Sequence, residues 1–177
     1  MKTIVLDNFV SNEFLYTVNN FFDDVTWNFN NQANKNAFGV GEHRFFGAGF
    51  YPHFWKEQLE KNGWMAYLWK AIELHLNIKG VIHNIHANLQ VLGQDGSWHI
   101  DEYGPDCRAL IYYPVMQWKN EWGGTLDIKE TDTEEYVSYD YIPGRIIYMD
   151  GTKSHRANAP LIKNKGRISL VYNIIKE

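Results

Sequence analysis

The feature that most constrains this chain is a change of hydrophobic period near residue 80. Before it, apolar residues recur at threes and fours; after it, they come in short extended stretches separated by loops. Phe14, Leu15, Val18, Phe21, Phe22 and Val25 form one helical stripe over 11–25, with Ser11 as N-cap. From Trp64, the residues Met65, Leu68, Trp69, Ile72 and Leu76 form a second stripe, which Gly80 is expected to end. Between the two, 28–53 is rich in Asn, Gly and aromatic residues without a steady period. It reads as long loops with a short strand.

Beyond residue 80 the expected strands are 81–92, 108–113, 125–128, 136–141, 144–149 and 167–175, with a turn at Gly93-Gln94-Asp95-Gly96. Strands this short and numerous predict an antiparallel sandwich or barrel, with the two helices covering one sheet. The expected class is mostly β with helical support. Its 177 residues suit a single domain, 1–79 supplying helices and loops and 80–177 the β core. A chain with 45% hydrophobic residues and 16% aromatic residues builds a core without staples, which excludes a disordered or low-complexity protein. Cys107 is the sole cysteine, so neither an internal disulfide nor a cysteine-based zinc site is expected. A charge follows Met1 too soon for a signal peptide, and no apolar run spans a bilayer, so a soluble cytoplasmic protein is expected. The net charge is −4 and the 17 Lys and Arg are dispersed, which disfavours a nucleic-acid partner.

Three motifs carry chemistry. In Trp98-His99-Ile100-Asp101, extended backbone turns His99 and Asp101 to one side and Ile100 to the other. Chance alone produces this triplet often, and a strand-end His bonded to a neighbouring carboxylate is the plain alternative. His155 follows 54 residues after Asp101, beyond the strand 144–149 and a Gly151-Thr152 turn. A barrel can bring it beside His99, and two imidazoles with one carboxylate suit non-haem Fe(II). Arg167 and Ser169 share one face of the last strand, and a buried guanidinium there needs an anionic partner. Of the other histidines, His83 and His86 lie on opposite faces of one strand and read as ordinary strand residues. His43 and His53 flank the aromatic, glycine-rich stretch 39–51, a candidate substrate lid or a plain surface loop. Asp95 and Glu102 take no role, and Trp98 is a candidate for the substrate mouth.

These marks, in this order, resemble the 2-oxoglutarate- and Fe(II)-dependent dioxygenases. Ile111-Tyr112-Tyr113 and Trp122-Gly123-Gly124-Thr125-Leu126 are similar to the prolyl 4-hydroxylase-like branch, and the resemblance covers roughly 80–175. It implies a double-stranded β-helix (jelly roll) with iron held by His99, Asp101 and His155. It also implies that Arg167, Ser169 and Tyr113 hold the distal carboxylate of 2-oxoglutarate, with O2 as second co-substrate. Tyr112 faces the other way. Arg167 lies 12 residues after His155, and Lys165 is the rival anchor. The implied activity is hydroxylation of a peptidyl side chain, proline first, or of a free amino acid, with succinate and CO2 as co-products. The alternatives are a non-catalytic cupin-like metal-binding module and a nucleic-acid demethylase of the same superfamily. A peptide or amino-acid partner is expected.

Overall fold

A computed structural model of the protein describes residues 1–31, 44–51, 63–101, 103–131 and 135–177. Strand β1 (Ile4–Leu6) precedes helix α1 (Asn12–Phe21), and β2 (Asn28–Asn31) and β3 (Phe45–Tyr51) precede helix α2 (Trp64–Leu76). The remaining strands are β4 (Gly80–Gln90), β5 (Cys107–Tyr112), β6 (Leu126–Ile128), β7 (Val137–Tyr139), β8 (Ile146–Asp150), β9 (His155–Ala157) and β10 (Arg167–Lys176). They form a seven-stranded sheet, ordered β1-β8-β5-β10-β4-β3-β2, and a three-stranded sheet, ordered β7-β6-β9. The strand pairings within both sheets are antiparallel. This is the expected double-stranded β-helix.

The helices form where their stripes predict. Ser11 accepts a hydrogen bond from the Phe14 amide at 3.2 Å, capping α1. Helix α2 ends earlier than expected: Asn77 adopts the left-handed conformation, φ 51°, and Gly80 opens β4 instead. Asparagine tolerates that conformation nearly as well as glycine, so the stop signal lay three residues upstream of the one read.

Both helices lie on the seven-stranded sheet. Leu15 and Val18 of α1 and Met65, Leu68 and Ile72 of α2 pack into one cluster with Ile85, Leu110, Tyr112, Leu170 and Tyr172. The Tyr172 hydroxyl donates to the Met65 carbonyl at 3.0 Å, tying sheet to helix. The opposite faces of the same strands turn inward. There Ala109, Ile111, Tyr113, Ile147 and Met149 meet Leu126 and Ile128 of the small sheet in a second cluster. Strict alternation therefore assigns Tyr112 to the helices and Tyr113 to the barrel interior, as expected.

The described residues 28–31 and 45–51 form two strands where long loops with a short strand were expected. Both β2 and β3 belong to the large sheet, β3 pairing with β4 through Ala48↔Ala87 and Gly49↔His86. Gly47 and Gly49 interrupt one face of β3, which erases the alternation a strand normally shows. The strand is made by the hydrogen bonds that the long edge of β4 offers. Positions 39–43, His43 and His53 lie outside the described residues, and 45–51 is strand rather than lid. Short β1 and β9 likewise went unread; they form by pairing with β8 and β6.

The helix–sheet cluster sets stability. Ile72 is 0% exposed and Leu74, on the outer side of the same helix, is 72% exposed. Ile72→Ala should destabilise the protein by about 2–5 kcal/mol. Leu74→Ala should stay within about 0.5 kcal/mol of wild type in the same denaturant titration.

Candidate metal centre

The barrel is closed by backbone as well as side chains. His99 and His155 form an antiparallel bridge, exchanging N–H···O bonds of 3.0 and 2.9 Å. Residues paired across such a bridge carry their side chains on one face, and the two imidazole centroids are 4.2 Å apart. Asp101 is fixed one step along the chain, where its amide donates to the Gly151 carbonyl at 2.8 Å. Gly151 in turn donates to the Cys107 carbonyl at 3.0 Å, seating this turn on β5. A Cβ at Gly151 would stand 2.8 Å from the Cys107 sulfur and 3.3 Å from the Asp101 Cβ, so glycine is what lets the strands meet here.

One ligand atom from each of His99, Asp101 and His155 lies within 4.8 Å of the others. Their protonation suits a cation. His99 Nδ1 faces the Ser97 carbonyl at 3.0 Å and His155 Nδ1 faces the Lys153 carbonyl at 2.9 Å. A carbonyl only accepts, so both Nδ1 atoms carry the proton and both Nε2 atoms keep a free lone pair. Burial, then the proximity of His155, lowers the His99 pKa to about 4. Burial lowers that of His155 too. Both rings are thus neutral donors at physiological pH. Asp101 Oδ2 is buried without a hydrogen-bond partner, and burial raises this carboxyl to about 6 despite the opposing pull of His99. Two neutral nitrogens and one orphaned carboxylate oxygen fit a divalent ion with a preference for N and O ligands.

Deeper in the barrel sits Arg167, 1% exposed. Its Nε donates to the Gly124 carbonyl at 2.8 Å and its Nη1 to Gln90 Oε1 at 3.0 Å. Ser169 Oγ and the Tyr113 hydroxyl lie 3.3 and 3.4 Å from the guanidinium. Tyr113 and Tyr141 stack at 4.2 Å beneath it. All these partners are neutral, and no carboxylate pairs with Arg167 among the described residues. Lys165 is placed elsewhere, its ammonium 4.3 Å over the Trp122 ring.

Several contributors escaped the sequence reading. Gln90 holds the guanidinium from β4, and its register with Arg167 is visible only in the paired sheet. Gly124, φ 79°, belonged to a motif already noted, but its reason is steric: a Cβ would reach 2.9 Å from Trp118 and 3.3 Å from Arg167 Cδ. His86, read as ordinary, faces the interior beside the histidine pair. Burial, then His99, lowers its pKa to about 4. Trp98 packs against Tyr136 with Arg156 and Lys129 over its ring. Asp95 accepts from the Ala159 amide at 2.7 Å, a structural loop tie. Glu102 lies outside the described residues.

No family model matches the chain, and no curated protein matches it. Solved structures match it over nearly its whole length. A prolyl hydroxylase from Trichoplax adhaerens, in complex with a hypoxia inducible factor oxygen degradation domain peptide fragment, superposes with TM-score 0.72 at 15% identity. The match covers 99% of this chain and 84% of that one. A prolyl-4-hydroxylase from Pseudomonas putida gives TM-score 0.67 at 14% identity, covering 99% and 93%. An oxidoreductase of the 2OG-Fe(II) oxygenase family from Burkholderia pseudomallei gives 0.73 at 12%, covering 99% and 86%. These matches establish the fold.

Metal affinity should depend on pH through Asp101. The carboxyl is raised to about 6 and must lose its proton to bind. Divalent-metal affinity should therefore rise with pH up to about 6 and flatten above it, as read by calorimetric titration. His99→Ala should abolish the single site. An affinity that keeps climbing well above neutrality would assign the titration to another group.

Proposed function

We propose that this protein is an Fe(II)- and 2-oxoglutarate-dependent dioxygenase that hydroxylates a peptidyl side chain, prolyl included, or a free amino acid. The carrying observation is the buried, uncompensated Arg167 cation inside the same barrel as the His99–Asp101–His155 set. A guanidinium so far from water is costly unless an anion reaches it. A dicarboxylate of the right length supplies that anion at one end and metal-chelating oxygens at the other.

In this reading His99 and His155 would offer Nε2 and Asp101 would offer Oδ2 to Fe(II), a donor set of two imidazoles and one carboxylate that suits it. Bound there, Fe(II) supplies the oxygen activation that couples decarboxylation of 2-oxoglutarate, to succinate and CO2, with hydroxylation. The chain does the rest by positioning. Arg167 binds the distal carboxylate of the co-substrate by charge-assisted hydrogen bonds, with Ser169 and the Tyr113 hydroxyl as further contacts. Gln90 and the Gly124 carbonyl hold the guanidinium in its plane. Ile111, Ile147, Met149 and Val171 keep water from the space between the two ends.

The alternatives fare less well. A cupin-like binding module has no use for a buried cation opposite its metal. Demethylation of nucleic acid would need free cations at the mouth to meet phosphates. Arg108 pairs with Asp150, Lys153 with Glu130 and Arg156 with Asp127, so those cations are already engaged. The peptide bound to the Trichoplax enzyme supports a peptide substrate by analogy.

Arg167→Ala should keep its metal affinity and lose roughly 10- to 150-fold in 2-oxoglutarate affinity, the worth of a buried charge-assisted pair. Succinate release from 2-oxoglutarate, stimulated by blocked proline-containing peptides or free amino acids, is the activity test. Stimulation by methylated oligonucleotides alone would transfer the substrate to nucleic acid. Unchanged co-substrate affinity in Arg167→Ala would remove the anchor.

A further inference from the structure

The inner face of β4 carries Asn84, His86, Asn88 and Gln90 in succession, because Ile85 and Ala87 between them face the helices. Across from it on β10 stand Asn173, Val171, Ser169 and Arg167, in the register Asn84↔Asn173, His86↔Val171, Asn88↔Ser169 and Gln90↔Arg167. The Gln90–Arg167 end is the co-substrate anchor already described. The Asn84–Asn173 end has no role in it.

That end has three unusual properties. Asn173 is 2% exposed, yet its Oδ1 has no hydrogen-bond partner. A buried acceptor without a donor costs about 1–3 kcal/mol, so it is retained for a reason or answered by a ligand. Second, the β4–β10 register slips immediately after Asn173, leaving His83 opposite no residue. Such bulges re-aim side chains beside functional sites. Third, Asn84 is held at both ends of its amide. Its Oδ1 is 3.1 Å from His86 Nδ1 and its Nδ2 donates to the Tyr103 hydroxyl at 2.7 Å. Tyr103 stands two residues after Asp101, so its bond ties Asn84 to the segment that carries that carboxylate. The strip thus runs continuously from Asn173 through Asn84 and His86 to the metal centre. Beside His86, Gly49 of β3 leaves open space, since a Cβ there would meet nothing within 4 Å.

We propose that Asn173 and Asn84 form a carboxamide site that selects the substrate by a neutral N–H or O–H donor on its reacting residue, a carboxamide or a hydroxyl. This rests on the dioxygenase reading above and narrows its substrate class. Asn173 Oδ1 accepts from the substrate group, Asn84 fixes its orientation, and the bare backbone at Gly49 gives the rest of the residue room. An anionic group is disfavoured, because it would face the unpaired Asn173 oxygen. A cationic group is disfavoured: apart from Asp101, no carboxylate among the described residues is available there to pair with it.

The test uses full-length protein loaded with Mn(II) and 2-oxoglutarate, which binds without turnover, and calorimetry with N-acetyl-X-N-methylamides, where X is Asn, Gln, Ser, Pro, Leu or Glu. Wild type should bind the Asn, Gln or Ser probes more tightly than Pro, Leu and Glu. Asn173→Leu, nearly isosteric, should erase that preference, weakening the favoured probe by about tenfold while Mn(II) and 2-oxoglutarate affinities stay within about twofold. Asn84→Ala serves as the second variant and should move the ranking the same way. Tighter binding of Pro, Leu or Glu by wild type would overturn the proposal. So would an unchanged ranking in both variants, or no binding of any probe to loaded wild type. Failure of wild type to bind Mn(II) and 2-oxoglutarate would instead overturn the dioxygenase reading.

Discussion

Two backbone hydrogen bonds between His99 and His155 hold this structure and its site in one arrangement. They join the segment after β4 to β9 and so close the small sheet over the barrel mouth. The same pairing puts both imidazoles on one face, with centroids 4.2 Å apart. Closing the fold and assembling two of the three candidate metal ligands are therefore a single event. Asp101 follows because its amide is bound to Gly151, and Gly151 to Cys107 on β5. Backbone bonds are stiffer than side-chain contacts, which is what a site needs if its donors are to converge before any ion arrives.

The interior is electrostatically unfinished at several points. Arg167 is a buried cation with neutral partners, Asp101 a buried carboxyl with an orphaned oxygen, and Asn173 a buried amide whose oxygen is unmatched. Each is a standing cost to the fold, and native proteins keep few such groups. Their placement is ordered along the barrel: cation at the deep end, carboxylate at the ligand cluster, amide beyond it. Ligands that bind only the folded state would relieve these costs and stabilise it by mass action. The helix-covered face of the same sheet shows the contrast. There Leu110, Tyr112, Leu170 and Tyr172 meet α1 and α2 in a core that is apolar but for the buried Tyr112 hydroxyl, itself without a hydrogen-bond partner.

Much of this was legible in the residue string, for reasons of periodicity. The stripes of α1 and α2, the strands β4 to β8 and β10, and the opposite facing of Tyr112 and Tyr113 all follow from repeats of 3.6 and 2, which are local properties of the backbone. His99 with Asp101, and Arg167 with Ser169, share a face for the same reason. What pointed to chemistry was the coincidence of these pairs with a distant histidine in one chain, not any one of them.

Other features had no local signal. Strands β1, β2, β3 and β9 are too short, too polar or too rich in glycine to show a period, and they exist because neighbouring strands offer unpaired backbone groups. Gln90 meets Arg167, and Asn84 meets Asn173, only through antiparallel register, which couples residues about 80 to 90 positions apart. By itself the sequence determined which residues could share a face. Only the tertiary structure decided which faces meet, because strand pairing is a long-range hydrogen-bond choice that no stretch of chain makes alone.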